Sequence, residues 1–184
     1  MLICASPVLA LLLVPKISRR LPIRFAIWVS TLGVAHEQLA QLIQAYLRSH
    51  PIGPASFVLK DGADRIAMHR EAGHEVVIAT GALESLARAI CDSAGLEGVV
   101  VVGSSLRRVL GGLVADQHCF GTRKIPMLTD RGYPPDWQFV YTDHHADLPI
   151  LACGRQRFLV NPRPDTITRV AEALGASPTV LMWK

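Results

Sequence analysis

The sequence predicts an α/β domain: a parallel sheet with helices on both faces, preceded by a small helical segment. Three observations carry that expectation. From residue 55 onward, short Val- and Ile-rich runs alternate with helix-length amphipathic stretches. The intervening helices are long enough to act as right-handed crossovers, which makes consecutive strands parallel. The residues before Pro51 read as helix alone. Half of the 184 residues are apolar and only 18% are charged, which excludes a disordered chain and suffices for a buried core.

Helices are expected over residues 8–14, 21–32 and 37–48. The last places Leu39, Leu42, Ile43, Tyr46 and Leu47 at near-helical spacing, an amphipathic stripe. Pro51, Gly53 and Pro54 then punctuate the chain and divide a helical subdomain, residues 1–53, from an α/β core, residues 54–184. In the core, a helix over 55–72 ends at Gly73, a natural C-terminal cap. A strand at 74–80 and a helix at 83–94, stopped by Gly95, follow. Next come a strand at 98–103, a hairpin pairing 112–116 with 118–120, and a helix at 124–130. Strands at 138–142 and 157–160 flank a short helix at 147–153, and a helix at 165–174 closes the pattern.

The formal charge of +4 suits anionic partners but also an ordinary surface with a modest basic excess, and nothing beyond it speaks for nucleic acid. Cys4, Cys91, Cys119 and Cys153 are scattered without a Cys-x-x-Cys pair, so neither a disulfide framework nor a zinc ribbon is expected, and a reducing cytoplasm is the default. His118-Cys119 and His144-His145 lack metal-ligand spacing and read as structural or surface residues. The apolar runs 9–14 and 25–34 are too short to span a bilayer, and the first lacks the charged start and cleavage site of a secretory signal. With Lys16, Arg19, Arg20 and Arg24 between them, they could rest on a membrane surface or bury against each other.

In an open parallel sheet, ligands bind beyond the C-terminal strand ends. Thr80 closes one expected strand and Asp143 follows another. Thr80 could offer a hydroxyl to a phosphoryl oxygen, with the amides of Gly81 and Ala82 at a helix N-terminus, or could simply cap that helix. Lys124 starts a helix after Gly121; it could neutralise a phosphoryl group or be a solvated surface lysine. Asp143 and Asp147, across a strand-to-helix turn, could present oxygen ligands to Mg²⁺ or stabilise the helix dipole.

Ala79-Thr80-Gly81-Ala82, Gly121-Thr122-Arg123-Lys124 and Tyr141-Thr142-Asp143-His144-His145-Ala146-Asp147 resemble, in that order, motifs two to four of the haloacid dehalogenase superfamily of phosphatases. The helical N-terminal segment resembles the cap of its phosphoserine phosphatase branch. Tyr141-Thr142-Asp143 with Asp147-Leu148-Pro149-Ile150-Leu151, Val160-Asn161-Pro162 and Val180-Leu181-Met182-Trp183-Lys184 is similar to phosphatidylglycerophosphatase C-like members. The resemblance implies a Rossmann-like core with Mg²⁺-dependent hydrolysis of a phosphate monoester. Thr80, Gly81 and Lys124 would hold the phosphoryl group, Lys124 would neutralise it, and Asp143 and Asp147 would serve the metal. It implies a small phosphorylated substrate or phospholipid headgroup as partner, with peripheral membrane contact through the cap.

At motif four, Thr142 and His144 stand where Gly and Ser are common in the family. The first motif, Asp-x-Asp-Gly-Thr, is missing: no Asp precedes Asp61. Without that nucleophile the chain as given is expected to be inactive, as an N-terminally shortened form or a retained phospholigand-binding module. In the family the first strand lies between the strands corresponding to 74–80 and 138–142. Met1-Leu2-Ile3-Cys4-Ala5 could pair there only weakly and brings no carboxylate.

Overall fold

A computed structural model describes residues 20–50 and 54–184. The helix expected over 8–14, a strand at residues 1–5, and the boundary residues Pro51 and Gly53 lie outside the described residues. Helices α1 (Arg20–Ser30) and α2 (His36–Ser49) lead through a 3₁₀ turn, Pro54–Phe57, into α3 (Lys60–Glu71). Then follow β1 (Val77–Leu83), α4 (Glu84–Ser93), β2 (Val100–Ser104), and the hairpin of β3 (Leu106–Val109) and β4 (Gly112–Ala115). A 3₁₀ turn, Gly121–Arg123, runs into α5 (Lys124–Asp130), which leads to β5 (Trp137–Thr142). A second such turn, His145–Asp147, runs into α6 (Leu148–Ala152), followed by β6 (Gly154–Val160), α7 (Pro164–Leu174) and β7 (Thr179–Leu181).

The fold is α/β with parallel sheets. β1 pairs with β2, and β5, β6 and β7 pair in that order, all parallel. Among the described residues no ladder joins β1 to β5, so the parallel strands form two sheets. β2 explains why its valines are consecutive rather than alternating. Val101 enters one apolar cluster with Cys91, Leu96 and Val99, while Val102 enters another with Cys119, Met127, Leu128 and Ile150. Adjacent strand residues face opposite sides, so a strand covered on both faces is apolar throughout. Burying each valine contributes about 1.5–3 kcal/mol. A third cluster joins Val140, Leu151, Leu159 and Val170. The stripe of α2 is used as expected in part: Ile43 and Leu47 bury against Ala89 of α4, whereas Leu42 and Tyr46 stay exposed.

Several elements differ from the sequence expectations. The helix expected over 55–72 is broken at Val58-Leu59, where Leu59 is extended (φ −69°, ψ 133°) and caps α3. Phe57 packs on His50 and Tyr46, which holds the 3₁₀ turn apart from α3. The first strand runs from Val77 to Leu83 rather than 74–80, because His74 is drawn to His69 and the Glu75 carboxylate accepts from the Tyr133 hydroxyl. The hairpin pairs 106–109 with 112–115, and 118–120 is not strand. Its two turn residues, Leu110 (φ 46°) and Gly111 (φ 81°), are both left-handed, as a tight two-residue hairpin requires. For Leu110 that conformation costs about 1–2 kcal/mol. β7 was not expected: three residues after Pro178 are too few to carry a period.

The hairpin is bolted to α1 and the turn after it. The Trp28 indole donates to Val109 O at 2.8 Å, Thr31 Oγ1 accepts from Leu113 N at 2.8 Å, and Gly33 N donates to Gly111 O at 2.9 Å. Gly112 has room for nothing larger, since an added Cβ would lie 2.6 Å from Trp28 O.

His69 of α3 is buried, with Nδ1 3.0 Å from His74 Nδ1 and Nε2 2.9 Å from the Tyr141 hydroxyl. Its ring also packs on Phe139. Burial, and then the charges of His74 and Arg65, hold its pKa below the ordinary 6.5. The unfolded chain takes up a proton there that the folded chain refuses, so this stability is present above about pH 6.5 and declines as pH falls below it. Denaturation midpoints at pH 7.5 and pH 5 should therefore separate for the protein, and less so for His69→Gln.

Gly103 gives a second test of the packing. A Cβ there would lie 2.6 Å from Glu84 Cα and 2.8 Å from Glu84 N, both backbone atoms at the start of α4. Gly103→Ala is expected to lower unfolding free energy by about 1–3 kcal/mol in urea titration.

Candidate functional site

At the C-terminal end of β1 the ladder breaks register. Ala79 lies opposite Val102 and Leu83 opposite Ser104, so Thr80, Gly81 and Ala82 bulge across from Gly103 alone. Thr80 therefore sits on a bulge and does not close the strand. Leu83 is still extended (φ −61°, ψ 128°), and α4 starts only at Glu84. The amides of Gly81 and Ala82 thus belong to the bulge and not to a helix N-terminus. Thr80 Oγ1 accepts from Ala82 N at 3.1 Å, which tightens the bulge. Ser104 locks it from below, donating its hydroxyl to Gly81 O at 2.8 Å while Oγ accepts from Cys119 N at 3.1 Å.

Residues 118–120 wrap the bulge. His118 Nδ1 lies 3.1 Å from Ser104 Oγ, and its ring stacks nearly parallel (7°) on Phe120. From there the chain turns at Gly121 (φ 56°), whose Cβ position is 3.5 Å from Ala146 O. That close approach brings the two 3₁₀ turns together, and with them the residues they carry. Lys124, first residue of α5, donates to Asp147 Oδ2 at 2.7 Å. Thr142, the last residue of β5, donates to the same oxygen at 3.1 Å. The side chains of Lys124 and Asp147 are only 8% and 13% exposed, so the ion pair is close to dry. Either charge alone would be costly at that depth; together, with a hydroxyl donor, they are compensated.

Nothing in the sequence marks Cys119 as a site residue, because a lone cysteine offers no spacing to read. It is fully buried, and its thiol lies 3.5 Å from Val102 O. Burial pushes its pKa up; the Lys124 charge pulls the other way and the Asp147 charge adds to the rise, with a hydrogen bond from the Thr80 backbone also lowering it. Gly81 lies beside Cys119 O, Gly121 beside Ala146 O, and Lys124 bonds Asp147, so the three sequence segments meet in space.

Asp143 behaves differently. It follows β5, is exposed, and among the described residues makes no hydrogen bond or ion pair. Magnesium needs near-octahedral oxygen coordination and usually retains several waters. Here one carboxylate is free and the other already accepts two hydrogen bonds on Oδ2. Among the described residues no three His, Cys, Asp or Glu side chains converge as a metal group. The residues present therefore do not fit a complete Mg²⁺ site. His144 Nδ1 instead accepts from Ala146 N at 3.0 Å and caps the turn, and its ring lies 4.1 Å from that of His145. His145 has its pKa lowered chiefly by burial, then by His144 and Arg169. Among the described residues no helix is long and apolar enough to cross a membrane.

A model of the haloacid dehalogenase-like hydrolase family matches residues 1–152. Among solved structures, a protein of unknown function from Bordetella pertussis Tohama I is 18% identical, with a TM-score of 0.67 over 91% of this chain and 75% of the other. A probable phosphoserine phosphatase from Vibrio cholerae is 14% identical, with a TM-score of 0.56 over 96% of this chain and 50% of the other. Cytosolic 5′-nucleotidase IIIB bound to cytidine is 12% identical, with a TM-score of 0.56 over 97% of this chain and 64% of the other. At such identities the likeness is one of fold, and this chain spans half the length of the second structure.

The ion pair can be tested by a double-mutant cycle. Lys124→Met and Asp147→Asn should each cost about 3 kcal/mol in unfolding free energy, and the double variant distinctly less than their sum. The exposed pair Arg155–Asp136 should show no coupling of comparable size.

Proposed function

The chain belongs to the haloacid dehalogenase-like hydrolase family, and on that premise we propose that its site receives the phosphoryl group of a phosphate monoester and stems from a Mg²⁺-dependent phosphatase. The observation that carries this reading is the nearly dry Lys124–Asp147 pair beside Thr142, at the C-terminal mouth of parallel strands. A preorganised ammonium in a site largely closed to water is well suited to charge on a phosphoryl group. In this reading the Thr80 hydroxyl and the Gly81 amide donate to phosphoryl oxygens, Lys124 neutralises them, and Asp147 holds the ammonium in place. Asp143, exposed and unpaired among the described residues, is the remaining carboxylate for weak Mg²⁺ contact.

Turnover through an aspartyl phosphate requires an attacking carboxylate. No Asp precedes Asp61 in these 184 residues, so the chain as given is proposed to bind without hydrolysing. Among the described residues β1 pairs only with β2 and β5 only with β6, which supports a place between them for a strand carrying Asp-x-Asp. Residues 1–53 are proposed as a helical cap and residues 54–184 as the core. A lipid phosphate such as phosphatidylglycerophosphate stands ahead of phosphoserine, on the apolar, arginine-flanked N-terminal segment and the motif-four likeness.

The test is Mg²⁺-dependent phosphate release from an aryl phosphate, comparing this chain with a version carrying an N-terminal Asp-x-Asp-Gly-Thr strand. Activity in the extended version alone is expected, and Lys124→Ala should abolish it. Activity in the chain as given would overturn the nucleophile argument. Phosphate binding without turnover in either version would favour a non-catalytic phospholigand-binding protein.

A further inference from the structure

We propose that the tip of the β3–β4 hairpin, with the turn after α1, is a docking surface for an anionic lipid bilayer. The choice of partner rests in part on the lipid-phosphate reading above; the surface itself is argued from its own residues. Leu110 is 87% exposed and sits at φ 46°. Asn, Asp or Gly would occupy that turn position without strain. A leucine there neither buries itself in the fold nor suits its backbone, and such an outlier points to a use outside the fold. Leu32, 48% exposed, stands on the adjoining turn, held there by the hydrogen bond from Gly33 N to Gly111 O.

Two arginines, Arg107 and Arg108, stand on the strand that leads into the tip. Arg108 directs its guanidinium to the carbonyls of Val34 and Gly111, neutral acceptors, and among the described residues it has no carboxylate partner. Arg107 faces Asp116 at 3.6 Å with both side chains well exposed, and Asp116 is the one acidic residue in 106–116. Two leucines on rigid adjoining turns with arginines behind them match a bilayer interface: apolar tips enter the acyl boundary while guanidinium groups meet lipid phosphates. A second copy of the chain fits less well, since the apolar area is small for a stable dimer and the arginines would repel their counterparts.

Sedimentation of the full chain with vesicles tests this. Binding to mixed phosphatidylglycerol and phosphatidylcholine vesicles is expected, weakened by salt, with little binding to phosphatidylcholine alone. Leu110→Gly should weaken binding roughly tenfold without lowering the unfolding midpoint, because glycine suits the turn. Leu110→Asn should act likewise, and Arg107→Gln should weaken binding about fivefold with a shallower salt dependence. No binding to anionic vesicles, or equal binding by Leu110→Gly, would sink the proposal. So would a wild-type dimer that becomes monomeric in Leu110→Gly without vesicle binding, which would assign the tip to a second copy. Turnover by the strand-extended chain without vesicle binding would remove the docking surface and leave the phosphatase reading standing; vesicle binding with no turnover in the extended chain would do the reverse.

Discussion

The contact between Lys124 and Asp147 sets the terms for much of the molecule. An ammonium and a carboxylate removed from water are stable only if each keeps its partner and the leftover hydrogen-bonding capacity is met. That demand fixes the distance between the start of α5 and the turn after β5. It also fixes the two 3₁₀ turns against each other, with Gly121 near Ala146 O. Thr142 completes the arrangement by donating to the carboxylate from the end of β5. The start of α5, 23 residues away, and the nearby end of β5 are thus both held by one oxygen atom, Asp147 Oδ2, and Cys119 fills the apolar space beside them.

Around that polar centre the layering follows from β2 and β6. Val101 and Val102 point to opposite faces and anchor separate apolar clusters, so β2 is a divider between two packed layers. In the second sheet Leu159 of β6 packs with Leu151 of α6 and Val170 of α7 in one cluster. Beneath the site, α5 and α6 contribute Met127, Leu128 and Ile150 to the cluster under Val102. Rigid apolar packing beneath and two polar contacts above hold the Asp147 carboxylate still.

Much of this was legible in the sequence. The valine run, the glycine after α4 and the amphipathic α7 identify their elements because apolar period and helix stop signals are local properties. The expected helix at 124–130 coincides with α5 for the same reason. What was not legible depends on tertiary contacts. The bulge at Thr80 arises from pairing with β2 and from the Ser104 hydroxyl, neither of which leaves a trace in the spacing of residues 79–83. The delayed start of β1 reflects the claims of His69 and Tyr133 on residues 74 and 75. The hairpin register turned on a left-handed leucine, which propensity argues against. The sequence also suggested that Asp143 and Asp147 act as a pair. In space one is committed to Lys124 and the other is exposed, a distinction set by partners distant in sequence.

The junction between α1 and the hairpin has a consequence for how the chain is made. The Trp28 indole and its acceptor Val109 O are separated by 81 residues, and Thr31 and Leu113 by 82. At about 5–20 residues per second, a ribosome finishes α1 roughly 4–16 seconds before it supplies the hairpin that satisfies these groups. For that interval an apolar helix with an unpaired indole waits for its partner, and short helices alone are marginal in water. Closure must then join distant segments, a slow class of folding event. The unsatisfied groups of α1 are thereby open to misassociation during this interval.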